Sequence, residues 1–425
     1  MKLRIGLVAM LALVAAFALG PASSSSATGD NAVVHWSEVA QGAISASATP
    51  GGPLRPPAAS AVLAGIVHAA MYDAVVAIEG GFEPFATTIN RPPDASVDAA
   101  VAQAARDVLI VRVPGQAGAV QTAYDAYMAA IPAGAAKDGG KAVGAAAAAG
   151  MLASRAGDHF DDVVPWVQPT PGAGVFEPIA AGVVNPSPPP TPVSVGLSRV
   201  RPFTYDTPAY RPAAPYALTS RRYAEDVAEV REVGRVTSTT RTAFQTETAR
   251  FHSDPTYVQF SRALRRLANE RGLDVRQSAR LLGYTWVAVG DTMIACWEAK
   301  YHYMFWRPNH AIQRATTNAD PTWLPLLTGN HPEYPSGHAC FTGGVTKSLQ
   351  EFFGTKWLQL TLASTTTGTS RTYTQLDQLV NDVENARVWG GLHYRTTMTE
   401  TAKHFPRIAK DVYKAHFRAV RGGKD

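Results

Sequence analysis

The sequence predicts an all-α fold of two helical bundles joined by a long Pro-rich connection. Apolar residues recur at helical spacing through most of the chain, and glycine and proline gather between the periodic stretches. No alternation of strands with helices interrupts them, nor does any repeat of roughly 20 to 50 residues. The chain has 425 residues, 46% of them hydrophobic, enough to bury a substantial interior, which excludes disorder.

Lys2 and Arg4 precede an apolar run at 5–19, followed by Pro21 and small residues ending Ser25-Ser26-Ala27. This is the pattern of a secretory signal peptide over residues 1–27. The run is shorter than the roughly 20 residues a spanning helix needs, so the mature protein is expected to be soluble, extracellular and without a membrane anchor. The first bundle occupies 28–160. Its helices are expected at 59–78, stopped by Gly80-Gly81, at 94–111 before Pro114, at 116–130 before Pro132, and at 137–155. Their alanine-rich faces allow close approach, and the short connections imply antiparallel neighbours.

Across 161–219 the period vanishes and Pro186, Pro188, Pro189, Pro190 and Pro192 crowd together, the mark of an irregular connection. The C-terminal domain, 220–425, resumes helical spacing at 221–233, 238–252 and 255–271. Asp274 can cap the next helix, whose buried stripe runs Val275, Ala279, Leu282, Trp286, Val289, Met293 and Trp297.

Charge excludes other classes of function. The formal net charge is +5, two of it on Lys2 and Arg4, and no dense Lys/Arg run carries interleaved aromatics, so no nucleic-acid partner is expected. Cys296 and Cys340 are the only cysteines, too few for a disulfide scaffold or an all-cysteine metal cluster.

Continued past Trp297, the stripe meets Lys300, Met304 and Arg307 before Pro308 ends the helix, which puts two cations on a buried face. Buried charges must be paired or must hold an anion. A second signal is Pro335-Ser336-Gly337-His338, followed by Phe341, Val345, Leu349 and Phe352 at helical spacing. A helix beginning at Pro335 would offer a hydroxyl and backbone N–H groups at the positive end of its dipole, an oxyanion cradle. In a third segment Leu376, Leu379 and Val383 lead to Arg387, and the Gly390-Gly391 pair lets His393 face the same site.

Three cations, a hydroxyl, a helix N-terminus and two imidazoles suit a tetrahedral oxyanion. A zinc site drawn from His302, His310 or His331 is the competing reading, disfavoured because their spacing matches no standard ligand pattern.

These segments resemble the three-part signature of the superfamily that joins vanadium-dependent haloperoxidases to type-2 phosphatidic acid phosphatases and bacterial acid phosphatases. Lys300 to Arg307-Pro308 and Pro335 to His338 match in full. The third part keeps the Arg387 to His393 interval, but has Ala386 in place of Ser and Thr397 in place of the Asp that orients the essential His. Thr397 or Glu400 is expected to substitute for it. Tyr301, Phe305-Trp306-Arg307-Pro308 and His393-Tyr394-Arg395 resemble the haloperoxidase branch.

That branch implies vanadate as cofactor, His393 as its metal ligand, and Lys300, Arg307, Ser336, Gly337 and Arg387 around its oxygens. His338 is then the acid-base, Lys300 the group polarising peroxide, and hydrogen peroxide, halide and an organic acceptor the substrates. The phosphatase branch implies phosphate in the same cradle, with His393 attacking a phosphate ester and His338 protonating the leaving oxygen. A secreted oxyanion-binding protein that lacks the reaction is the third reading. With Cys296 one turn before Lys300 and Cys340 two residues after His338, two readings stand open in an exported chain: a disulfide that ties the two motif helices together, or two free, buried thiols.

Overall fold

The computed structural model describes residues 30–48, 55–90, 92–179 and 191–420, so the expected signal peptide and Pro186 to Pro190 lie outside the described residues. Asn31 caps α1 (Ala32–Ala46) by accepting from the Val33 and Val34 N–H groups. No expected helix covered that segment. The other helices of the N-terminal part are α2 (Pro57–Glu79), α3 (Val97–Arg112), α4 (Ala117–Ala129) and α5 (Ala135–Ser154). By length and hydropathy α2 could cross a membrane, yet 89% of its apolar window is buried inside the protein.

An irregular connection leads to α6 (Arg221–Val233), α7 (Ala243–Phe251) and α8 (Thr256–Glu270), and then to α9 (Val275–Tyr303). Asp274 and Gln277 close a capping box at the start of α9. α9 lies along α2, so the alanine-rich helices and the site-bearing ones share one core.

Phe203 of the connection wedges between the two long helices. A Cβ on Gly65 or on Gly290 would each meet its ring at 2.9 Å, so the wedge exists only because both positions lack one. The buried Asp291 holds the strap down, accepting from the Phe203 N–H at 2.6 Å and the Thr204 hydroxyl at 2.5 Å. Burial pushes the Asp291 carboxyl up to about 6, with those two donors and Arg155 opposing.

Two local expectations are corrected. α9 stops at Tyr303 because Met304 takes a left-handed conformation (φ 49°), so Arg307 is not on its stripe. Arg307 is instead the N-cap of the short α10 (Pro308–Gln313). Likewise α11 (Gly337–Phe353) begins at Gly337 rather than Pro335, with Ser336 as N-cap.

The remaining elements are a two-stranded antiparallel hairpin, β1 (Leu360–Ala363) and β2 (Ser370–Tyr373), and the helices α12 (Leu376–Trp389), α13 (Arg395–His404) and α14 (Pro406–Ala415). Helical period does not foretell the hairpin, whose turn is tied down by Asp254 accepting from the Thr365 and Thr366 N–H groups and the Ser364 hydroxyl.

Candidate oxyanion site

The ends of α9 and α12, the starts of α10, α11 and α13 and the loop before α11 bring together Lys300, Arg307, Ser336, Gly337, His338, Arg387 and His393. Positive φ at Gly391 (75°) turns the chain after α12, so that His393 comes back beside Arg387. Its backbone N–H returns to the Arg387 carbonyl at 3.4 Å.

Each cation is buried, and each is held differently. The Lys300 ammonium donates to the carbonyls of Pro332 (2.8 Å), Glu333 (3.2 Å) and Pro335, and lies 5.5 Å from the Trp297 ring centre. Burial pulls its pKa well below the ordinary lysine value; Arg307 adds to the pull and Glu333 opposes it. Three carbonyl acceptors satisfy all three donors of the charged form.

Arg307 donates from Nε to the His331 carbonyl (2.7 Å) and from one terminal nitrogen to the Leu392 carbonyl (2.9 Å), while the other meets the His331 ring at 3.0 Å. Burial lowers its pKa to about 10. Arg387 makes one protein bond, to the His252 carbonyl at 2.9 Å, and its buried Nε has no partner. Burial lowers its pKa to about 9, with Arg307 adding to the effect.

Ser336 accepts from the Ala339 N–H at 3.4 Å, which leaves its hydroxyl proton free, and the first N–H groups of α11 have no intrahelical acceptor. A Cβ on Gly337 would stand 2.9 Å from the Trp297 ring, so glycine is what lets the helix start pack against the indole that lies beside the Lys300 ammonium. His338 Nε2 is buried without a partner. Burial first, then Arg387, His252, Arg307 and Lys300, push the imidazole well below its usual pKa, toward the neutral form. Cys296 and Cys340 form a disulfide (Cα–Cα 6.4 Å) that ties α9 to α11 between Lys300 and His338.

The residue that periodicity missed is Glu333. Its fully buried side chain accepts from the Tyr394 N–H (3.1 Å) and the Thr397 hydroxyl (2.9 Å) and meets His393 Nδ1 at 2.9 Å. The expected substitutes fare differently: Thr397 touches that carboxylate rather than His393, and Glu400 pairs with Lys403. Burial pushes Glu333 up to about 7, opposed by Lys300 and by its own donors. Of the histidines considered for zinc, His331 joins the cluster, His302 lies exposed against Tyr303, and His310 is buried elsewhere on α10. Among the described residues, no three His, Cys, Asp or Glu side chains gather as a metal site.

The comparisons with known proteins agree with this geometry. A family described as the VCPO second helical-bundle domain matches residues 280–422, which hold all seven residues of the cluster. That match, over about a third of the chain, supports a likeness to the vanadium haloperoxidase superfamily. Vanadium chloroperoxidase of Curvularia inaequalis is 33% identical over 88 residues, a match covering 18% of this chain and 14% of that protein's length.

Solved structures of the superfamily share the fold at 17% identity. The crystal structure of the first bacterial vanadium-dependent iodoperoxidase superposes with a TM-score of 0.78, covering 93% of this chain and 98% of that one. A holo-type bacterial vanadium-dependent chloroperoxidase gives 0.70, covering 87% and 95%, and its apo-type structure 0.68, covering 88% and 97%. The residues of this chain fit the superfamily's oxyanion: two buried nitrogens lack partners, three cations stand close, and a Cβ-free helix start faces them.

Proposed function

We propose that this protein is a secreted vanadium-dependent haloperoxidase-like enzyme, oxidising halide with hydrogen peroxide at a histidine-bound vanadate and passing the halogen to an organic acceptor. The observation that carries the reading is the pair of partnerless buried nitrogens, Arg387 Nε and His338 Nε2, among three cations at a helix N-terminus. Burying such groups without partners is costly unless an anion meets them. The structural likeness to an iodoperoxidase and a chloroperoxidase supports the haloperoxidase branch over the phosphatase one.

In this reading His393 presents Nε2 as the ligand, since Nδ1 is held by Glu333. Arg307 and Arg387 offset the anion's charge, and the Ser336 hydroxyl and Gly337 N–H donate to its oxygens. Lys300 acts through its charge, because its N–H groups are committed to carbonyls. His338, kept neutral by burial and its cationic neighbours, is poised to take and return a proton at Nε2. Bound vanadate supplies a Lewis-acid centre that activates peroxide toward halide.

The test assays bromination of a phenolic reporter with peroxide and orthovanadate, beside phosphate-ester hydrolysis without vanadate. Vanadate-dependent bromination that His393→Ala abolishes is the expected result. Ester hydrolysis with no bromination would overturn the reading in favour of a phosphatase, and vanadate binding without either activity would leave an oxyanion-binding protein.

A further inference from the structure

We infer that Glu333, assisted by Thr397, is the positioning residue that fixes the His393 ring, in place of the acid missing at position 397. The inference rests on the oxyanion reading of the site and deepens it. One turn into α13, where the superfamily signature has a carboxylate, this chain has a hydroxyl. The carboxylate arrives from 60 residues earlier in the chain and takes the His393 Nδ1 contact at 2.9 Å.

Nothing about Glu333 is loose. Its backbone N–H donates to the Phe305 carbonyl at 2.8 Å, its own carbonyl accepts from Lys300, and its side chain has a donor on each oxygen. With the Tyr394 N–H and Thr397 O–H already donating to it, the group acts as an acceptor, so the ring proton sits on Nδ1 and the Nε2 lone pair is left for the oxyanion. One residue thereby links the ligand histidine to the buried lysine: the side chain sets the ring and the main chain holds the ammonium. Thr397 fits this division, because a second carboxylate beside Glu333 would repel it and a hydroxyl donates to it.

The test reads the ring itself. In the ligand-free full chain labelled with 15N-histidine, His393 should show Nδ1 protonated and Nε2 bare. Glu333→Gln, whose amide can donate as well as accept, should shift that tautomer and weaken orthovanadate and phosphate binding about 10- to 100-fold in titration calorimetry. Moving the acid back, in the double variant Glu333→Gln with Thr397→Asp, should restore both readouts, which loss of packing alone would not do. Thr397→Val, a milder change, should weaken binding a few-fold and keep Nδ1 protonated.

An unchanged tautomer and unchanged affinity in Glu333→Gln would overturn the assignment. So would an unaltered Thr397→Val, should the Gln variant fail to fold. A wild-type chain that binds neither anion would sink the proposed function instead, while the tautomer still decides the role of Glu333.

Discussion

Lys300 and Arg307 commit their N–H groups to backbone carbonyls and the His331 ring, whereas Arg387 and His338, in the same cluster, each keep a buried nitrogen without a partner. The first pair grips the loop that carries His331, Pro332, Glu333 and Pro335, and so frames the site whether or not an anion is present. The second pair each keep a buried nitrogen uncompensated by the protein, as the receiving half of an anion site would. Equal burial therefore does not mean equal roles: acceptors already in place mark the frame, and their absence marks the receptor.

The largest effect should come from breaking the frame. Lys300→Met leaves the buried Glu333 and Pro335 carbonyls without a donor, and urea unfolding should show a loss of about 3 kcal/mol, since each orphaned acceptor costs about 1–3 kcal/mol and relief of the buried charge offsets part. An unchanged midpoint would erase the distinction between the two pairs. Arg387→Met should do the reverse. Its single carbonyl bond predicts stability within about 1 kcal/mol of wild type, with orthovanadate affinity down about 100-fold, or about 2.7 kcal/mol. Equal binding losses in the two variants, without the difference in stability, would refute the comparison.

A smaller effect sharpens the Arg387 side. Its guanidinium rests on the His252 carbonyl, and Asp382 accepts from His252 Nε2 (3.0 Å), the Tyr373 hydroxyl (2.6 Å) and Arg371 (2.7 Å). Burial alone would push the Asp382 carboxyl up, yet hydrogen bonds from His252 and Tyr373, with the charge of Arg371, bring it down to about 2. A folded pKa below the unfolded value of about 4 contributes stability present above that value and lost as pH falls toward 2. Asp382→Asn should flatten that acid limb in urea midpoints taken from neutral to acid pH. Asp291, raised to about 6, works in the opposite sense: the folded state gains on the unfolded one as pH falls through 6 toward 4.

Legibility in the sequence followed chemistry more closely than shape. Lys300, Arg387 and His393 could be found because a cation ending an apolar stripe, or a His after a Gly pair, is anomalous at its own position. Arg307 stands at the start of α10 and not on the stripe of α9, since nothing in the apolar period reveals that Met304 adopts a left-handed conformation. The hairpin escaped because Leu360 and Leu362 face inward on a strand too short, and too rich in threonine nearby, to show alternation. Glu333 sits in an irregular loop and meets its partner across 60 residues, where periodicity is silent. The available signal was a pair of facts: an acid between two prolines just before Ser336-Gly337-His338, and no acid at position 397.

The Cys296–Cys340 bond gives the framed half of the site a chemical history. Protein produced where thiols stay reduced would start with α9 and α11 held by packing alone. Two batches of one sequence could then differ in oxyanion affinity until an oxidant brought them to the same covalent state, so a thiol count belongs beside every binding constant measured on this chain.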